Sequence, residues 1–159
     1  TIHSMKACLL SVFLISGIVV FGQRKMRAFS FHHNSIEFAD ANRSFNDENQ
    51  FSDTLHDERL VIGLTKILND NPELHIMLIG HIAANEEAGL GMRRAAYLKS
   101  RLEEKGIDAA RLEISSKESS EPIIASDIIL KLESQVEKEA ALQRNRRVEI
   151  EVVNSAERQ

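Results

Sequence analysis

The sequence predicts an α+β fold in which helices pack on one face of a four-stranded mixed sheet, in the order β-α-β-α-β-(α)-β. Three stretches carry that prediction. Leu74–Gly80 is a nearly unbroken apolar run of strand length, the pattern of a strand covered on both faces. Gly91, Ala95, Leu98 and Leu102 recur at helical spacing. Arg147–Val153, RVEIEVV, alternates as a half-buried strand does, with Val148, Ile150 and Val152 toward the core and Glu149 and Glu151 toward water. The 159 residues suffice for one domain with a real core, and no repeat or linker divides them.

Taken in order, Ser35–Ala39 (SIEFA) reads as a first strand with Ile36 and Phe38 on one face, followed by a polar loop over Asp40–Asp53. Leu60, Leu64, Ile67 and Leu68 predict a helix over Asp57–Asn69, stopped by Asn71-Pro72. After the apolar strand, the next helix starts near Ala88 to Leu90 and ends at Lys105-Gly106, a good C-terminal signal. Arg111–Ser115 alternates as a short strand, and Lys117–Glu121 is a loop closed by Pro122. Ser126–Arg144 reads as one long third helix with Ile129, Leu132 and Val136 inward.

The first 22 residues stand apart from this fold. Lys6 gives a positive start, Leu9–Phe21 is an apolar run too short to span a bilayer, and Gly22 is a small residue before Gln23. Residues 1–22 are therefore expected to be a secretory signal peptide, with Thr1–Ser4 ahead of the natural start at Met5. Residues 23–34 are expected to form an arm, residues 35–153 the domain and residues 154–159 a tail. Cys8, the one cysteine, lies in the signal, so the mature chain is expected to need no disulfide and to hold no thiol chemistry.

Composition narrows the function. A formal charge of −4 with mixed signs gives no whole-chain attraction to nucleic acid, and the absence of Trp removes the best stacking residue. No metal is expected, because His32, His33, His75 and His81 fall in no ligand spacing with other His, Cys or acids. Asp40–Glu48 alternates like a calcium loop but has Phe45 where that loop needs glycine. Gly89 and Gly91 lie too far from the preceding strand for a dinucleotide turn. There is no Gly-x-Ser-x-Gly elbow, and no enzyme, cofactor or membrane span in the mature chain is expected.

Several short phrases go further. Asn71-Pro72 precedes the apolar strand, which ends in Gly80-His81; Leu90-Gly91-Met92-Arg93-Arg94-Ala95 opens the second helix; Gly106-Ile107, Arg111-Leu112 and Glu121-Pro122 follow; and Asn145-Arg146-Arg147-Val148-Glu149-Ile150 opens the last strand. In this order they resemble the OmpA-like (OmpA C-terminal, MotB-like) domain family, over roughly Ser35 to Val153. The resemblance implies a periplasmic, cell-envelope module that holds peptidoglycan without bonding to it covalently. In that family an acid and a guanidinium clamp the zwitterionic end of diaminopimelate in the stem peptide: the acid takes the ammonium and the arginine fork takes the carboxylate.

Carried onto this chain, Arg94 stands at the clamp arginine, but Ala83 stands where the family has its aspartate. The segment between His81 and Arg94 is also about four residues shorter than the family's common length. Glu86 or Glu87 is expected to supply the missing acid, with Arg147 and Asn145 as further candidates at the pocket. The alternative is a degenerate copy kept as a structural or protein-interaction module, its partners other envelope proteins and its long third helix the partner surface. Any outer-membrane association would then run through partners.

Overall fold

The computed structural model describes residues 28–36, 38 and 54–153. The expected signal peptide, the polar loop and the tail lie outside the described residues. Four strands, β1 (Phe29–Ser30), β2 (His75–His81), β3 (Leu112–Glu118) and β4 (Arg147–Val153), form one sheet in the order β1-β4-β2-β3. β2 and β3 run parallel, while β4 is antiparallel to both β1 and β2. The parallel pair requires a crossover, which is the helix α2 (Leu90–Glu104). Helix α1 (Thr54–Asp70) precedes β2. Val61, Leu64 and Leu68 of α1 and Ala95, Leu98 and Leu102 of α2 share one buried cluster with Ile76, Leu78, Leu112 and Val148 of the sheet.

The ends of these elements follow local chemistry. Gly106 takes φ +89°, and the N–H groups of Gly106 and Ile107 return to the carbonyls of Glu103 (2.8 Å) and Leu102 (3.1 Å). That is a Schellman turn, and it tucks Ile107 into the core. Arg111 donates to the carbonyls of Leu68 (2.7 Å), Asn71 (2.7 Å) and Leu74 (3.0 Å). It thus closes the C-terminal end of α1 with a cation, the favourable sign there.

Two expectations are corrected. The chain meets the sheet earlier than Ser35: Phe29 and Phe31, assigned to an arm by the sequence reading, are fully buried, and Phe29 pairs with Val148. Phe31 and Phe38 form an isolated antiparallel bridge, whereas Ile36 stays 39% exposed. The rings of Phe29 and Phe31 each meet Phe38, with centroids 5.5 and 5.4 Å apart, and this aromatic cluster offers more burial than SIEFA alone. The third helix is also two helices, α3 (Ser126–Lys131) and α4 (Gln135–Asn145). Between them Leu132 and Ser134 are extended, and Ser134 and Glu137 form a reciprocal capping box that starts a new helix. Ile129 is buried as expected, but Val136, on the first turn of α4, is 80% exposed.

Candidate functional site

The candidate site lies where β2 ends and α2 begins. Their approach is set by two glycines. A methyl group on Gly80 would overlap the carbonyl oxygen of Gly91 and sit 2.9 Å from the Gly91 Cα; one on Gly91 would sit 2.5 Å from Ser116 Oγ. Only hydrogen at both positions lets the helix start against the strand. Glu118 completes the junction from β3. It adopts φ +49°, its carbonyl accepts from Ile82 N–H (3.0 Å), and its carboxylate accepts from Gly89 N–H (3.1 Å) at the N-terminus of α2. A carboxylate there satisfies an otherwise orphan donor and meets the positive end of the helix dipole.

One helical turn on, Arg94 lies within the buried stripe of α2 with no exposed surface. Its guanidinium meets the carboxylate of Glu86, also with no exposed side-chain surface, through Nη1 to Oε2 (2.8 Å) and Nη2 to Oε1 (2.6 Å). The remaining donors reach three carbonyls: Nε to Ser35 (3.0 Å), Nη1 to His81 (3.1 Å) and Nη2 to His32 (3.0 Å). All five guanidinium N–H groups therefore have acceptors inside the chain. The guanidinium also lies over the Phe31 ring, 5.2 Å from its centroid. Glu86 accepts in addition from the N–H groups of Asn34 and Ala83, each at 2.9 Å. Burial pushes its carboxyl up, but the Arg94 hydrogen bonds, the Ala83 N–H, the guanidinium charge and the Asn34 N–H outweigh that, and the net pKa is lowered. Asn34, at φ +48°, also takes Glu87 N–H on its side chain (3.3 Å). The segments 32–35, 81–87 and the first turn of α2 are thus knitted into one polar knot.

No protein-family model and no curated protein matches the sequence. Solved structures do. The peptidoglycan-associated lipoprotein from Burkholderia pseudomallei is similar with a TM-score of 0.59 at 18% identity, over 80% of this chain and 91% of that one. The C-terminal domain of Helicobacter pylori MotB is similar with a TM-score of 0.57 at 22% identity, over 83% of this chain and 88% of that one. A putative MotB-like protein from Desulfovibrio vulgaris follows at 0.51 and 18% identity, covering 78% and 69%. The fold is OmpA-like.

On this OmpA-like fold the sequence-derived candidates separate. Arg94 and Glu86 meet, as the shortened loop suggests, yet they close on each other: Glu86 occupies the arginine fork that the resemblance reserves for a ligand carboxylate. Glu87 points outward, 73% exposed, and meets Arg93 at 3.3 Å. Arg147 does not line this site. It bonds Glu149 Oε1 (2.8 Å) and the Glu121 carbonyl (3.0 Å), because neighbouring side chains on a strand point to opposite sides. Its neighbour Arg146 is the one near the knot, with Nε 3.8 Å from Glu86 Oε1 and a bond to Glu139 (2.5 Å). Asn145 spends its amide on the backbone of Ile124, accepting from N–H (3.0 Å) and donating to the carbonyl (2.9 Å), so it pins the turn before β4. Among the described residues no cluster of His, Cys, Asp or Glu is arranged to hold a metal ion.

His81 is fully buried, and neither ring nitrogen has a hydrogen-bond partner among the described residues. Burial, reinforced by the nearby Arg147 charge, pushes its pKa down to about 4, against a smaller pull from Glu149 at 3.7 Å. In the unfolded chain the same ring takes its proton near 6.5. Between those values the unfolded chain binds more protons, so stability falls as pH falls through that window, by up to about 3 kcal/mol. Urea midpoints are expected to drop between about pH 7 and about pH 4.5 for the wild type and to drop less for His81→Gln, which cannot take the proton. Equal slopes for the two proteins would rule out His81 as the source.

Proposed function

We propose that this chain is a non-enzymatic module of the cell envelope that contacts peptidoglycan non-covalently, at the end of the sheet where β2 gives way to α2. The reading is supported by one arrangement above all: acids of the β2–α2 loop and arginines of the first turn of α2 are gathered at that edge, on the fold shared with a peptidoglycan-associated lipoprotein. Charged groups of both signs side by side suit a ligand with an ammonium and a carboxylate, such as the diaminopimelate end of a stem peptide. The proposed setting is the periplasm. No helix of the described residues is long and apolar enough to cross a membrane.

A specific observation favours the second reading, a structural or protein-interaction module. The Arg94 fork is fully engaged inside the chain, and α3 and α4 expose Leu130 (76%) and Val136 (80%). Co-sedimentation of the full chain with diaminopimelate-type sacculi separates the two. The protein is expected to pellet with sacculi, and to pellet less as salt rises, since the contact is charged. A protein that stays in the supernatant at low salt would leave the second reading in possession.

A further inference from the structure

Resting on the peptidoglycan reading, we infer that the ligand-facing pair is not Arg94 with Glu86 but Arg93 with Glu87, and that it receives the zwitterionic end of a diamino acid whose methylene stem lies along the outer face of α2. The argument begins with what is accessible. Displacing Glu86 from Arg94 would expose a buried guanidinium to loss of its partner, the most costly way to make room for a ligand. Arg93 and Glu87 are 55% and 73% exposed and meet through a single contact of 3.3 Å. An exposed pair of this kind contributes little to stability, so opening it for a ligand costs little. Among the described residues the Arg93 guanidinium bonds Glu87 alone, which leaves most of its fork for a carboxylate.

The surroundings fit the same ligand. Leu90, Arg93, Tyr97 and Ser100 follow one another at three- and four-residue steps, so they share one face of α2. With Asn34 and Ile36 opposite, they line an open groove of about 590 Å³. Its floor is largely apolar, from Leu90, Ile36 and the Tyr97 ring, and suits a short methylene chain. Its charged lining residue is Arg93, and Glu87, outside the lining itself, meets the Arg93 guanidinium at 3.3 Å. An ammonium on Glu87 and a carboxylate on Arg93 would therefore replace one exposed ion pair with two. The groove and the knot share a wall: Asn34 lines the groove while its N–H and side chain hold Glu86 and Glu87 N–H. Arg94 and Glu86 thus act as positioning residues, fixing the wall on which the outer pair stands.

The test uses the full chain, titrated with free meso-diaminopimelate and followed by amide NMR, with sacculus co-sedimentation in parallel. Saturable shifts are expected at Asn34, Glu87, Leu90 and Arg93. Arg93→Ala and Glu87→Gln are each expected to weaken binding about tenfold or more, with thermal midpoints unchanged because both side chains are exposed. Pimelate, which has the carboxylates without the amines, is expected not to saturate the groove. Wild-type-like binding by Arg93→Ala, or equal binding of pimelate, would overturn this assignment while leaving the wall-contact reading standing. A wild type that binds neither diaminopimelate nor sacculi would overturn both.

Discussion

Glu86→Ala is expected to destabilise the domain by about 3–5 kcal/mol, because it strands the Arg94 guanidinium, which has no exposed surface, without its counter-ion. Arg94→Met should cost somewhat less, since the buried Glu86 carboxylate keeps two backbone donors and the Arg146 guanidinium 3.8 Å away. The double variant Glu86→Leu with Arg94→Met is expected to recover much of either loss. Removing both charges also removes both desolvation costs, although the carbonyls of His32, Ser35 and His81 lose a donor. Urea denaturation of the three proteins at neutral pH measures this. Single variants within about 1 kcal/mol of wild type would mean that water reaches the pair and the knot is not a buried ion pair at all. The lowered pKa of Glu86 adds a sign check. Its contribution is present above the ordinary carboxylate pKa of 4.5 and is lost as pH falls through the still lower folded value. That loss lies on the acid side of the window in which His81 acts.

Gly80→Ala is expected to be as damaging, by a different route. The added methyl meets backbone at Gly91, not the far end of a flexible side chain, so α2 must back away from β2. Overpacking against backbone costs about 1–3 kcal/mol and more where the obstacle cannot turn aside, and here the displaced helix also carries Arg94 and the Gly89 N–H held by Glu118. A loss of about 3 kcal/mol or more in urea denaturation is expected. Gly63→Ala is the internal control with the opposite sign. Gly63 is an exposed interior position of α1 with nothing near its missing Cβ, and alanine there is expected to stabilise by about 0.5–1 kcal/mol. Two glycine-to-alanine changes moving in the same direction would contradict the packing at the Gly80–Gly91 crossing.

Much of this architecture is legible in the residues. The run RVEIEVV marks β4 to both its ends, although Val152, expected inward, is 52% exposed, and the stripe at Gly91, Ala95, Leu98 and Leu102 marks the buried face of α2. The third helix misleads because Ser134 and Glu137 carry a helix-start signature inside a run whose apolar spacing still looks helical. Phe29 and Phe31 mislead because their short alternation follows a basic stretch and gains meaning only from β4, more than a hundred residues later in sequence. The site is half legible. Arg94 falls between Gly91 and Leu98 on the apolar stripe, so the sequence already requires a buried anion for it. Which acid answers depends on the path of the loop from Ile82 to Gly89 and on the carbonyls of His32 and Ser35, none of which leaves a pattern in the sequence. Arg93 looks like any solvated helix arginine until the groove beside it is seen.

The strand order has a consequence for how the chain reaches this state. β4, the last of the described strands in chain order, lies between β1 and β2, with Phe29 opposite Val148 on one side and Gly80 opposite the same Val148 on the other. A nascent chain that ends before Arg147 has a gap one strand wide, about 4.8 Å of missing hydrogen-bonding partner, between β1 and β2. An N-terminal fragment can pair β2 with β3 but cannot join β1 to them. β4 is a keystone, and the fold closes in a single late step, when the C-terminal strand is set between neighbours that have waited for it.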